Sequence, residues 1–346
     1  MKTAIICVLT ALLITPAALP ADTIDLGSLR KAAEYSAARK GISLLVMVDG
    51  EILFEDYPNG GSPSRPNELA SGTKSFSGAM AVAAAQDGLL KLDERVSRTI
   101  TEWQRDARKS KITIRQLLSL TSGIESASRA GRVPTYAAAI ATPVVTAPGA
   151  RFDYGAEPFQ IFGELMLRKL ASRGEDPLDY LKRRIFDPIG LEIGRWRRGA
   201  DGNPHLPSGA SLTARDWAKF GELVRRGGVW NGRRILDKAL LDQCFQGTPA
   251  NPAYGLTWWL NRNVPPALRR TIPLLQRNGL GNADLWAAKG IPRDLVLAAG
   301  AGDQRLYISR ERKLVVVRQA DGILGALFGA DSGYSDLEFL TLLLAE

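Results

Sequence analysis

Leu69-Ala70-Ser71-Gly72-Thr73-Lys74-Ser75-Phe76-Ser77-Gly78-Ala79-Met80 continues as Ala81-Val82-Ala83-Ala84-Ala85 and breaks at Asp87-Gly88. The run predicts one helix, opened by Ser71. After Phe76 it is apolar nearly all round, so it reads as buried. On such a helix Ser71 and Lys74 share a face. A serine hydroxyl attacks a carbonyl only when something takes its proton, and a neutral lysine amine one turn away can do so. Desolvation is what makes a lysine neutral. A lysine in the first turn also opposes the helix macrodipole, so helix stability gives no reason for it. The pattern is short, however. Ser28-Leu29-Arg30-Lys31 fits it equally, on a charged helix where the serine reads as a cap.

Outward from this helix, strands lie toward both chain ends. Residues 28–39 read as helical. Ile42–Val48 and Glu51–Tyr57 form a hairpin at Asp49-Gly50. Helices are predicted over 113–120 with Thr113 as cap, from Glu157-Pro158 to about Ser172, and at 177–186, 213–226 and 237–245. Residues 129–150 read as small and irregular. Beyond 245 the composition turns to strands: Tyr254–Asn261, Asp294–Ala299, and a hairpin of Gln304–Ser309 with Lys313–Gln319, before a last helix at 335–345. The expected fold is α/β (α+β): an antiparallel sheet built from both chain ends, with flanking helices and a helical insertion. One catalytic domain over 22–346 would contain it, its sheet part at about 22–66 and 246–346 and its helical part at about 67–245.

The 346 residues are 45% hydrophobic and 23% charged, an ordinary globular composition. Met1-Lys2-Thr3, the apolar run Ala4–Leu13 and the small residues to Ala21 read as a secretory signal cleaved after Ala21, with an uncleaved anchor as the alternative. A periplasmic or secreted protein is expected, with no membrane span after signal removal. Losing Lys2 lowers the formal charge from +9 to +8. The basic residues are scattered without an aromatic-interleaved stripe, so nucleic acid is not an expected partner. Cys7 lies in the signal, leaving Cys244 alone and no intramolecular disulfide. The single histidine, His205, sits in a proline-flanked loop and reads as solvent-facing or at a substrate rim. A Ser-His-Asp triad and a zinc site are both disfavoured, and no metal or cofactor is expected.

Three stretches in order resemble the serine β-lactamase-like family, which includes class C β-lactamases, DD-peptidases, related esterases and 6-aminohexanoate-oligomer hydrolases. They are Ser71-Gly72-Thr73-Lys74, Pro148-Gly149-Ala150-Arg151-Phe152-Asp153-Tyr154, and Ala298-Ala299-Gly300-Ala301-Gly302-Asp303-Gln304. The segments Ile112–Gly123 and Ser208–Asp216 are similar to structural segments of that family, so the likeness spans nearly the whole mature chain. The resemblance implies a β-lactamase/transpeptidase-like fold with Ser71 as acylated nucleophile, Lys74 as proton acceptor and Tyr154 as proton shuttle. It places the oxyanion between the backbone N–H groups of Ser71 and Ala301, with Gly300 and Gly302 letting the backbone approach substrate. Tyr154, before a helix and facing Lys74, is expected to favour a phenolate or a strong acceptor.

Departures from the family pattern narrow the activity. Ala156 stands where an Asn is frequent, and Ala298 stands where Lys or His is frequent. Those groups hold β-lactam or peptide amides and carboxylates, so the expected substrate is a small ester or amide. A β-lactamase or DD-peptidase is the alternative, and a catalytically silent envelope-peptide or partner-binding relative a second one. Asp303 replaces a common Gly and is expected to bias substrate charge. Trp258 and Trp259 would face opposite ways in a strand, one core and one lining the acyl pocket, with the choice open. Glu125 and Arg129 are candidates for the site edge.

Overall fold

The computed structural model describes residues 24–126, 132–272 and 288–344. The leader read over 1–21 and Arg129 lie outside the described residues. Helix α1 (Leu26–Ala38) is capped by Asp25, whose carboxylate accepts from the amides of Gly27 and Ser28. Strands β1 (Gly41–Val48) and β2 (Glu51–Asp56) follow. They turn at Asp49 and Gly50, whose φ values of 51° and 91° are those of a tight hairpin turn.

The main sheet gathers both ends of the chain. Strands β8 (Trp259–Leu260), β9 (Val296–Gly300), β10 (Gln304–Ser309) and β11 (Leu314–Ala320) complete a six-stranded antiparallel sheet in the order β2-β1-β11-β10-β9-β8. The central pair sets Leu45 opposite Val317 and Val46 opposite Val316. Ser43 donates to Gln319 across a separation of 276 residues. Helix α7 (Ala214–Arg225) packs against β1, β10 and β11, and α1 packs against β1 and the last helix, α11 (Asp336–Leu343). With both faces covered, β1, β10 and β11 are buried nearly throughout, which is why they read as continuous apolar runs.

The helical portion carries α2 (Lys74–Gln86), α3 (Ile114–Leu118), α4 (Tyr136–Ala141), α5 (Glu157–Leu170), α6 (Pro177–Leu181) and α8 (Lys238–Asp242). A three-stranded sheet joins β3 (Asn67–Glu68), β5 (Ala210–Leu212) and β4 (Arg195–Trp196), while β6 (Val229–Trp230) and β7 (Arg233–Arg234) form a separate hairpin. Short helices α9 (Pro266–Arg269) and α10 (Ile323–Leu327) flank the last strands. No described helix is long and apolar enough to cross a membrane.

Three expectations change. The helix expected to open at Ser71 begins at Lys74, with Ser71 in a preceding 3-10 turn over Ala70–Thr73. The stretch 129–150 contains α4, started by a Thr135 side-chain cap on Ala138. The strand expected over Tyr254–Asn261 shrinks to Trp259–Leu260, because Thr257 takes φ 74° and the amide of Gly255 turns back onto the carbonyl of Trp258.

Candidate active site

Ser71 is held from three directions. The Leu69 amide donates to Ala210 at 2.9 Å, tying the turn to β5. Ala70, just before the serine, sits at φ 45°, a left-handed conformation that a residue with a side chain holds at some cost. Gly72 lies against the Trp217 indole so closely that an added Cβ would meet Cζ2 at 2.8 Å. Below, α2 is buried continuously from Lys74 to Ala84, with Phe76 inserted among Phe186, Trp196 and Phe220. The all-round apolar pattern of the helix is thereby explained.

The Lys74 amine donates to Ser71 Oγ at 2.9 Å and to the Pro207 carbonyl at 3.1 Å. Lys74 is only 4% exposed, and burial brings its pKa from 10.5 down to about 7, with the nearby Glu157 carboxylate opposing that shift. The Tyr154 ring centroid lies 4.8 Å from the amine and that of Phe159 5.3 Å. Neutral and charged amine are therefore close in free energy near pH 7.

Tyr154 behaves differently from expectation. Its hydroxyl is hydrogen-bonded with Ser71, yet burial outweighs that bond and the field of Arg305, and its pKa rises to about 12. The Lys74 amine lies over the Tyr154 ring, and burial keeps the phenol protonated near neutral pH. The ring is fixed by aromatic neighbours: Trp259 stacks on it at 5.8 Å and 24°, and Tyr254 meets it edge-on at 6.2 Å. The two tryptophans pack in different places. Trp258 stacks on Phe220 in the core, and Trp259 lines the site.

The third stretch reaches Ser71 through its backbone. A Cβ on Gly300 would meet the Leu69 carbonyl oxygen at 2.1 Å and the Gly72 nitrogen at 3.1 Å, so only glycine lets β9 end this close to the serine turn. Arg305, 4% exposed and paired with Asp336, donates to the Gly300 carbonyl at 3.2 Å. Because a peptide unit is planar, holding that carbonyl also aims the N–H of Ala301. Gly300→Ala should force β9 and the serine turn apart. We expect a loss of about 3 kcal/mol in stability, as for other backbone clashes in a core. Urea unfolding of wild type and variant checks it, and wild-type stability for the variant would refute the close approach.

Two cavities of about 610 Å³ each meet at Ser71, Tyr154 and Ala301. The first is lined further by Lys74, Ala156, Arg197, Pro207, Leu324 and Leu327. The second takes Trp259, Gly300, Gly302, Asp303, Arg305 and Ser332. Asp303 sits at φ 60°, where glycine would be unstrained, and its carboxylate accepts from Ser332 and faces Arg305 at 3.5 Å. Its charge is met from inside the protein, which weakens the expected bias on substrate charge. His205 and Glu125 line neither cavity. Among the described residues no group of three or more His, Cys, Asp or Glu is placed to hold a metal ion.

Sequence reasoning missed two buried groups at this site: Arg305 and Glu157, which is 2% exposed. Either could have drawn notice only as a charged residue in an otherwise apolar stretch, and that signal is common on surfaces.

The six-stranded antiparallel sheet with its flanking helices defines a β-lactamase/transpeptidase-like fold, and the two cavities joined at Ser71 lie where its sheet and helical portions meet. The Beta-lactamase family model matches residues 29–320, and the chain belongs to that family. Protein flp of Staphylococcus aureus (strain COL) is 29% identical in an alignment of 142 residues that covers 36% of this chain and 28% of that protein. The chain thus matches well under half the length of that curated relative. Among solved structures, EstCE1, a hydrolase with promiscuous acyltransferase activity, superposes with a TM-score of 0.69 at 16% identity, covering 92% of this chain and 99% of the other. A D-stereospecific amidohydrolase from Streptomyces sp. gives 0.63 at 16% identity, covering 93% and 99%. At these identities the superpositions speak for the fold alone.

Proposed function

We propose that this chain is an exported serine hydrolase that cleaves a small ester or amide through an acyl-enzyme on Ser71. The observation that carries the reading is the 2.9 Å contact of Ser71 Oγ with a buried Lys74 amine whose pKa is about 7. Lys74 in its neutral form takes the Ser71 proton as Oγ bonds to the substrate carbonyl carbon. The resulting oxyanion lies between the N–H groups of Ser71 and Ala301. Collapse breaks the bond to the leaving group. Tyr154, a neutral phenol, gives that group its proton and recovers one from the Lys74 ammonium. Water then attacks the acyl carbon, losing its proton along the same route, and Ser71 is released.

Ala156 lines the first cavity without a side-chain amide. Ala298, 2% exposed inside β9, offers no charge. Both features support an esterase or amidase over an enzyme that holds β-lactams or peptide carboxylates. Export rests on the composition of residues 1–21. An intact mass beginning at Asp22 for protein recovered from the periplasm or medium would support it, and retention of Met1 would count against cleavage.

A fluorophosphonate probe tests the reading directly. The expected result is one covalent adduct, mapped by peptide mass spectrometry to Ser71, with parallel turnover of p-nitrophenyl butyrate. A folded protein that takes no probe would favour the silent binding relative. Rapid nitrocefin hydrolysis would favour the β-lactamase alternative.

A further inference from the structure

Helix α10 leaves its apolar side chains uncovered. Leu324 is 71% exposed, Leu327 41%, and Phe328 at the helix end 81%, while none of the five helical residues is buried. A contiguous apolar patch of this kind marks a contact surface. Its position says which contact. Helix α10 is the partition between the two cavities: Ile323, Leu324 and Leu327 line the first, and Gly322 and Ala326 line the second. The partition is fixed to the reacting centre, because a Cβ on Gly302 would meet the Gly322 carbonyl carbon and the Ile323 nitrogen at 2.4 Å. The residue following Ala301 therefore touches the start of the helix. Across the first cavity the wall includes Ile42, Val133 and Pro207. Arg197 on that wall already donates to the Ser208 carbonyl at 2.8 Å and stands 4.0 Å from Glu68.

We propose that the first cavity is a binding site for an unbranched aliphatic chain of the substrate, laid along Leu324 and Leu327 with its ester carbonyl at Ser71. This deepens the hydrolase reading above and rests on it. The chain covers the two leucines on binding, and each methylene it buries contributes about fourfold in affinity. The structure gives this role equally to a chain in the acyl half or in the alcohol half of the ester. The shared chemistry is the hydrocarbon, and the substrates below separate its two sources.

The test compares wild type, Leu324→Ser/Leu327→Ser and the conservative Leu324→Met/Leu327→Met. Each is assayed for kcat/KM on p-nitrophenyl acetate and octanoate, and on ethyl and octyl acetate. Wild type should prefer the long-chain member of at least one pair. The serine variant should lose about tenfold of that preference, and the methionine variant should keep it. A loss confined to p-nitrophenyl octanoate assigns the chain to the acyl half, and one confined to octyl acetate assigns it to the alcohol. Long-to-short ratios that match wild type in the serine variant overturn the site while leaving the hydrolase reading intact. A loss seen only for esters held in phosphatidylglycerol vesicles also overturns it, in favour of a lipid-surface contact. Wild type that hydrolyses none of the four esters and takes no fluorophosphonate removes the hydrolase reading, and this site with it.

Discussion

Ser71→Ala is expected to lower kcat/KM for p-nitrophenyl butyrate about ten-thousandfold and to abolish fluorophosphonate labelling. Without Oγ no acyl-enzyme forms, so both halves of the reaction lose their covalent route. Ala301, Arg305 and the aromatic seat of Tyr154 are untouched, so a residual rate above that in water should survive through binding and oxyanion stabilisation. The fold should persist, because Lys74 keeps its bond to Pro207 when its serine partner is gone. Matched thermal unfolding of the two proteins separates loss of chemistry from loss of structure. Turnover by Ser71→Ala at the wild-type rate would place the nucleophile elsewhere.

Lys74→Met should act in opposite directions on activity and stability. The amine is the proton acceptor in the proposed route, and its removal should cost about a thousandfold in kcat. Wild-type kcat/KM should rise with pH through about 7, as burial has brought Lys74 to that value, and the variant should lack this limb. Stability follows from the same shift. The unfolded chain holds the lysine proton up to about pH 10.5, whereas the folded chain releases it near 7. Between those values the unfolded state binds more protons, so wild-type stability rises with pH, by about 1.4 kcal/mol per unit from this group. Below 7 the cost of folding around the buried ammonium is present in full, and above 10.5 it is gone. Lys74→Met removes that slope and should be the more stable protein at pH 6. Denaturant titrations of both proteins across that range decide the matter, and parallel stability curves would show that Lys74 is not the depressed group.

Much of this architecture could be read from local chemistry. Asp49-Gly50 announces its hairpin because both residues tolerate positive φ, and Thr113 announces α3 through a capping box closed by Gln116. The nearly all-apolar run of α2 after Phe76 announces its own burial. Other features depend on partners far away in sequence. Nothing local places Ser71 in a 3-10 turn or sets Ala70 at φ 45°; those follow from anchoring by β5 and from the approach of Gly300. The adjacent tryptophans could not be told apart because the assumed strand is bent at Thr257. The expectation for Tyr154 took account of its helix and its lysine but not of its burial, and burial prevails. Asn231-Gly232, at φ 46° and 75°, makes the turn between β6 and β7 by the same local chemistry.

The pairing of β1 with β11 has a consequence for when the protein can work. Ser71 is translated well before the strand that brings Gly300 and Ala301 to it, and that strand is held in a sheet whose central partner, β11, is made later still. Non-local closure of this kind is slow compared with local helix formation. A chain still emerging from the ribosome, or one clipped ahead of β9, carries Ser71 and Lys74 without the close approach of Gly300 that shapes the serine turn. In the proposed mechanism, catalysis reports that β1 and β11 have paired.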